Sequence, residues 1–517
     1  MKDFIGEIRK GYDYVGISFN IPTHHKMLPM VRAVREHAPR TKIILGGYGT
    51  ILNDENLPAV DHVCRGEGVA FMRELLGEPL DQPFRQPDIL LSDRTLFSVP
   101  LAPSKGFVFA GLGCPNGCDF CLTSKYFKHR HIPFLPDGKS IMESIKQSRR
   151  KHPKLTDFSI IDEDFLLNRT RGREFLEEVR KSNLPPLTLM VFSSVKALSQ
   201  YTAEELVEMG VDMIWIGYEA KRAGFSKMKG KTYPELFNDF RAHGISLLAS
   251  MIIGLDYQTP EIIDEEFDEL MGLHPDICQF LIYGPAIGTS LHEKMSAEGR
   301  LDGAVMADYR KHDGFTLAFK HPSIGRDEMS AIQRRLYREE FNRLGPSLFR
   351  MVGTHLKGYN NLRNHPNPRI SGKAEVLRKR ALLLKPFLSP AGGYLSESGR
   401  RAVNATLAEF IAATGPLTMR ERFLSKIVVP ALYKFTDLRL RHCPPDAAEV
   451  HPKDLPDELE ISDFFNVKIG ASGENGYLDL APQVPRPRAT YCLDVPTTFR
   501  PRYCWYLRAQ IWPCGMS

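Results

Sequence analysis

The chain has 517 residues, 43% of them hydrophobic, and carries 68 basic against 62 acidic side chains for a formal net charge of +6. That length exceeds one ordinary core, so two or three domains are expected. So small an excess of charge over so long a chain points by itself to neither nucleic acid nor a membrane surface, and no nucleic-acid partner is expected.

The opening residues, "MKDFIGEIRKGYDYVG", lack the apolar core of an export signal, and no later run reaches the roughly 18 uncharged apolar residues of a spanning helix. The reading is a soluble, cytoplasmic protein with no transmembrane segment. Nine cysteines, an odd number scattered through the chain, fit reduced thiols better than a disulfide framework.

Residues 1–80 alternate. "YDYVGISF" reads as a buried strand, "HKMLPMVRAVREHA" as a helix, "KIILGG" as a strand stopped by glycines, "VDHVCRG" as a third short strand and "EGVAFMRELLGE" as a helix. Such alternation predicts a parallel sheet that binds ligands beyond the carboxyl ends of its strands. Residues 81–105, rich in Pro and Asp without a period, read as a linker.

From residue 106, "GFVFAGLG" is a strand that delivers the loop "GLGCPNGCDFC". The apolar runs "DFSIID", "LTLMVFSS", "MIWIGYE", "SLLASMIIGL" and "CQFLIYGP" follow, separated by helical segments. These six βα-like units over residues 106–322 predict an α/β fold, a full or partial parallel barrel with its chemistry at the strands' C-terminal ends. The cysteine loop lies at that end of the first strand.

Residues 323–440 read as helical and Arg-rich. Their basic stretch, 349–380, is expected to be a solvated cap, with contact to an anionic substrate or membrane headgroups as the alternative. Residues 441–517 show no period and are read as an irregular tail. Its last part, 481–517, holds Trp505, Trp512, Cys492, Cys504 and Cys514 and is expected to be dispensable.

Cys114, Cys118 and Cys121 have no fourth cysteine near them. Three thiolates satisfy three irons of a 4Fe-4S cubane and leave the fourth open, whereas structural zinc normally closes its shell with four ligands. His129 and His131 make a Cys3His zinc site the competing reading, although "RHIPF" after "KYFK" lacks the usual paired knuckle. Cys64 and Cys278 lie in apolar runs and read as core residues.

The CxxxCxxC pattern, with Phe120 just before its last cysteine, resembles the signature of the radical S-adenosylmethionine (SAM) superfamily. The barrel-like run behind it is similar to that superfamily's catalytic core. The resemblance implies that the open iron is chelated by the amino and carboxylate groups of SAM. An electron from the reduced cluster then breaks a sulfur to carbon bond and yields a 5'-deoxyadenosyl radical. The cofactors carry the chemistry while the protein aligns them and excludes water.

The same resemblance implies SAM contacts at the strand ends. Asp162, Glu163 and Asp164 of "IIDEDF" stand where the family holds the SAM amino group, although the usual Gly-Gly-Glu form is absent. Phe120 belongs to the signature itself, and Glu219 of "WIGYE" stands where a polar residue meets the SAM ribose or methionine end. Gly254 of "SMIIGL" stands where backbone approaches adenine, and "YGPAIGTSLHEKM" resembles the sixth-strand exit.

Before that core, "GIS", "ILGGYG" and "VDHVCRGEG" follow in an order that resembles the later part of the cobalamin-binding domain of B12-dependent radical SAM proteins. Ser18, Gly46, Gly47 and Glu67 match the family's recurring cobalamin positions. The family's further strand and helix ahead of "GIS" are missing, so this is a shortened Rossmann-like domain, either truncated or a remnant without cobalamin. Cobalamin therefore remains open beside the cluster and SAM. His24 and His25 read as exposed residues at a helix start and not as cobalt ligands.

The function expected is a cobalamin-dependent radical SAM methyltransferase acting on a small-molecule or lipid-like substrate, reduced by a partner such as flavodoxin or ferredoxin. The alternatives are a cobalamin-independent radical SAM oxidoreductase or carbon-sulfur bond-forming enzyme, and a truncated, non-catalytic iron-sulfur protein.

Overall fold

The computed structural model describes residues 1–91, 105–391, 397–431 and 489–493, with the short pieces 95–96, 99–100, 395 and 434. Its amino-terminal unit comprises α1 (Lys2–Ile8), β1 (Tyr14–Ser18), α2 (His24–His37), β2 (Lys42–Gly46), β3 (His62–Val63) and α3 (Gly68–Leu76). Alternation along β1 turns Val15 and Ile17 into a core with Ile8, Met27, Val31, Val34, Ile43 and Leu45. β1 pairs in parallel with β2, and β2 with β3.

Within the tail read as irregular, Ala489–Leu493 forms a strand. It runs parallel to β1, from Tyr14 opposite Ala489 to Ser18 opposite Leu493, so the sheet order is 489–493, β1, β2, β3. The rest of the 481–517 reading, including the two tryptophans, lies outside the described residues.

The second unit is built on β4 (Leu90–Leu91), β5 (Lys105–Phe109), β6 (Asp157–Ile161), β7 (Thr188–Ser193), β8 (Val211–Glu219), β9 (Ser246–Ile253) and β10 (Ile277–Ile282). They form one sheet in the order β10-β9-β8-β7-β6-β5-β4. The six strands expected from the apolar runs are all parallel, and β4, from the linker, pairs antiparallel with β5. No pairing between β10 and β5 closes the sheet among the described residues, so the expected barrel is partial.

After β5 come α4 (Leu122–Tyr126) and α5 (Gly138–Lys151), and the later crossovers are α6 (Arg169–Lys181), α7 (Ala203–Met209), α8 (Tyr233–Ala242) and α9 (Pro260–Gly272). Their starts are written in the sequence. Thr202 and Thr232 each accept from the backbone three residues on, while Glu205 and Glu235 reach back to the cap. Each such cap contributes about 1 kcal/mol. The helices cover one face of the sheet, where Val108, Ile160, Val191, Ile214 and Met251 meet Ile141, Phe175, Leu206, Phe237 and Phe267. On the opposite face, Met190, Met213, Leu248 and Ile277 pack with Met351.

That plug comes from the helical region, α10 (Arg326–Leu344), α11 (Ser347–Leu362), α12 (Pro368–Ala391) and α13 (Glu397–Thr414). The solvated reading of its basic stretch needs correction. Lys357 and Arg363 are exposed, but Lys373 is buried and donates to the carbonyls of Leu187 at 2.6 Å and Gly210 at 2.9 Å. Arg380 pairs with Asp212 at 2.6 Å and with Asp157. The amino-terminal ends of the strands present carboxylates and open carbonyls, and these require cations from whatever covers them. Burial pulls the Lys373 ammonium down to about 8, against the opposing charge of Asp212. No helix among the described residues is long and apolar enough to cross a membrane.

Candidate functional site

The three cysteines sit in the loop that leaves the C-terminal end of β5. A short antiparallel pairing of Gly111–Leu112 with Ile132–Pro133 closes the base of this loop. Inside it, Ser124 Oγ donates to the Cys114 carbonyl at 2.8 Å and accepts from the Gly117 amide at 3.2 Å. Asn116 Nδ2 donates to Cys114 Sγ at 3.2 Å and to Asp164 Oδ2 at 2.9 Å, tying the loop to the end of β6. Cys121 is the residue before α4, where the Ser124 and Thr123 amides favour its thiolate.

Burial raises all three thiols, Cys114 to about 12 and Cys118 to about 11. Without a cation to bind they stay protonated, and a metal centre would supply what the protein withholds. Among the described residues no three His, Cys, Asp or Glu side chains converge on a point where one ion could sit. A cubane binds its thiolates at separate corners and needs no such point, whereas mononuclear zinc does. The zinc reading also loses its histidines, since His129 Nδ1 meets Ser124 Oγ at 3.2 Å and His131 Nε2 meets Asp162 Oδ2 at 2.9 Å. The donor set fits a 4Fe-4S cluster.

The three carboxylates after β6 have different fates. Asp162 is 1% exposed and saturated by His131, by Arg171 at 2.6 Å and by the Asp164 amide. Burial opposes its charge, but His131 and Arg171 outweigh that and hold it below the usual aspartate range. Asp164 is spent on Ser193, both donors of Ser194, and Asn116.

Glu163 alone keeps a buried oxygen, Oε2, without a partner, while its Oε1 accepts from the Tyr48 hydroxyl at 3.4 Å. Burial, and then the charge of Asp162, push it up to about 7. Its charge also acts on Cys121. Of the three, Glu163 is the one that keeps an unpartnered oxygen beside the cysteine loop, which suits an ammonium group.

Glu219 ends β8 at φ 59°, in the left-handed region, and pairs with Lys227. Phe120 lies edge-on to Phe225 at 5.3 Å and to Tyr283 at 6.0 Å, and the Tyr283 hydroxyl donates to Asp119 at 3.0 Å. Gly254 turns at φ 90°, and its amide and that of Leu255 donate to Gln258 Oε1. A Cβ there would come within 3.0 Å of Met329 from α10, so its glycine serves packing against the helical region.

In the amino-terminal unit, Gly47 needs its hydrogen at φ 84°, because a Cβ would lie 2.6 Å from the Phe19 carbonyl and 2.7 Å from Ser18 Oγ. A Cβ on Gly46 would meet nothing within 4 Å. Glu67 is the N-cap of α3 and accepts from the amides of Val69 and Ala70. His24 Nε2 meets the Asn56 carbonyl at 2.9 Å, and His25 is exposed. Ser18 and Gly46 are half-buried at the C-terminal ends of β1 and β2, whereas Glu67 is occupied by its helix cap. Cys64 and Cys278 are buried, as read.

Two residues that sequence reasoning missed join the two units. Tyr126 of α4 sets its hydroxyl between the Gly66 amide at 2.9 Å, Thr50 Oγ1 at 2.6 Å and the Gly47 carbonyl at 3.2 Å. Tyr48 accepts from Thr123 at 3.1 Å and reaches Glu163. A further residue it missed, Lys227, lies within the second unit, over the ring of Phe120. Tyr126 ends the short helix that follows Cys121, a position that reads as ordinary core, so only the fold reveals its role.

No family model matches the chain. It is 22% identical over 367 residues to the anaerobic magnesium-protoporphyrin IX monomethyl ester cyclase of Rubrivivax gelatinosus, covering 61% of this chain and 63% of that protein. It is 23% identical over 245 residues to the bacteriochlorophyllide d C-12(1)-methyltransferase of Chlorobaculum tepidum, covering 45% of this chain and 51% of that one. The chain therefore spans between about half and three fifths of these relatives' lengths. Among solved structures it resembles the radical SAM methyltransferase TsrM from Kitasatospora setae with cobalamin and a [4Fe-4S] cluster bound, at TM-score 0.51 and 15% identity, over 73% of this chain and 90% of that one. That likeness establishes the fold.

Proposed function

We propose that the chain is a radical SAM enzyme that transfers a methyl group with the help of cobalamin. The observation that carries the reading is the three-cysteine loop at the C-terminal end of β5, with the unsatisfied carboxylate oxygen of Glu163 beside Cys121. When bound, a cluster with one free iron cleaves SAM reductively to a 5'-deoxyadenosyl radical, and cobalamin carries the methyl group.

The chain's own residues bind and align. Cys114, Cys118 and Cys121 hold the cluster, and Asn116 and Ser124 fix the loop. Glu163 accepts the SAM ammonium, with Asp162 and Asp164 as its buttresses. Ser18 and Gly46 offer the edge on which the cobalamin ring would lie, and Tyr48 and Tyr126 hold that edge against the cysteine loop. The substrate in this reading is a small or lipid-like molecule. The cyclase among the named relatives supports ring closure as the second reading.

Anaerobic reconstitution with iron and sulfide, followed by SAM, a strong reductant and cobalamin, tests this by mass spectrometry. 5'-Deoxyadenosine together with cobalamin-dependent S-adenosylhomocysteine supports methyl transfer. Deoxyadenosine alone, with or without cobalamin, moves the reading to an oxidative radical SAM reaction. Neither product from a chain with its cluster intact overturns it.

A further inference from the structure

Lys227 sits in the short turn Ser226–Met228 after β8, and its ammonium lies 5.4 Å over the ring of Phe120, the residue before Cys121. It is paired with Glu219, and the two side chains are 19% and 5% exposed. Two departures from regular structure make that pairing possible. Glu219 adopts φ 59°, and the pairing of β8 with β9 slips between Gly217 and Glu219. Gly217 is bare where a Cβ would lie 2.1 Å from Glu219 Oε1 and 3.3 Å from Lys227 Nζ.

A left-handed glutamate costs about 1–3 kcal/mol, and a buried ion pair is weak as a source of stability. The arrangement persists although it does little for the fold, and what it does achieve is to fix a cation against the cysteine loop. Burial works against that charge, but Glu219 outweighs it and holds Lys227 above the usual lysine range.

We propose that Lys227, anchored by Glu219, is a positioning charge that sets the reduction potential of the cluster in the three-cysteine loop. This rests on the reading of that loop as a 4Fe-4S site. The cluster gains one electron from a low-potential one-electron donor, no proton moves, and its net charge becomes more negative. A fixed cation at Phe120 favours the reduced state and eases that uptake. Phe120, held by Phe225 and Tyr283, keeps the cation at its distance.

The test is a potentiometric titration of the reconstituted full-length chain, with the reduced cluster read by electron paramagnetic resonance. Lys227→Met is expected to lower the reduced to oxidised ratio at the wild-type midpoint about tenfold, equal to about 59 mV for one electron. Lys227→Arg keeps that ratio within about twofold. Equal potentials in wild type and Lys227→Met, at equal iron content, overturn the proposal and leave the cluster reading standing. A wild-type chain that takes up no cluster overturns the reading beneath it. Should Lys227→Met fail to retain its cluster, Lys227→Gln carries the same comparison, with the same two outcomes.

Discussion

The two sheets of this molecule are held together differently. The six parallel strands of the second unit and their crossover helices supply most of one large core, to which the helices that follow add Met329, Ile332, Leu336, Ile370 and Ala374. The amino-terminal sheet has a two-residue β3 and takes much of its packing from outside. Leu122 of the cysteine-loop helix belongs to its core, with Ala286, Ile287 and Tyr309 against it. Its turns at Gly47 and Gly66 are tied by a hydroxyl from the other unit. The cysteine loop is thus also the bracket of the first unit, so disturbing one is felt in the other.

The largest break in that comparison is Cys118→Ala. It should abolish the cluster's visible absorption and all 5'-deoxyadenosine formation in a reconstituted sample. The melting of the cluster-free chain should change little, because the Cys118 thiol donates to no other group described here.

Next is Glu163→Gln. Burial and the charge of Asp162 push Glu163 up to about 7 from an ordinary 4.5, so folding holds a proton that the unfolded chain releases. Its contribution to stability therefore falls as pH rises from about 4.5 to 7 and is fully lost above that. The Gln variant should lack this slope and gain up to about 3 kcal/mol relative to wild type at pH 8 in the cluster-free chain. Urea unfolding at pH 5 and pH 8 measures both, and a variant with the wild-type slope would remove Glu163 as its source.

Tyr126→Phe leaves the Gly66 amide and Thr50 with one partner fewer and should weaken the amino-terminal unit by about 2 kcal/mol. Hydrogen exchange sharpens the comparison here. Protection should drop in β1, β2 and α3 and hold in β7 to β9, and a uniform drop would mean that the two units unfold as one. Glu67→Ala has the smallest expected effect, about 1 kcal/mol from the lost cap. Equilibrium binding of cobalamin should be unchanged, and a marked loss of affinity would restore Glu67 as a contact.

The strands, the helix starts and the cysteine triad were legible because each is written in neighbouring residues: runs of Val, Ile and Leu, Thr-x-x-Glu boxes, and thiols within one loop. Which carboxylate of "IIDEDF" would be left for a ligand was not legible. That depends on His131, Arg171, Ser193 and Ser194 arriving from other elements. Lys227 drew no reading from the sequence, since its burial follows from a slip in β8 that no local pattern announces. The basic stretch 349–380 misled for the same reason, because the carboxylates that claim it stand at the starts of distant strands.

The strand at 489–493 has a consequence for how the chain comes to be folded. Its parallel pairing with β1 joins segments separated by nearly the whole sequence. Closing so long a loop adds little to the equilibrium cost, which grows only with the logarithm of length, but contacts of such separation form slowly. During synthesis the second unit has all its strands while the edge of β1 still lacks its neighbour. The amino-terminal sheet, made before the second unit, is therefore completed after it, and until then β1 offers an open row of amides and carbonyls to any extended peptide nearby.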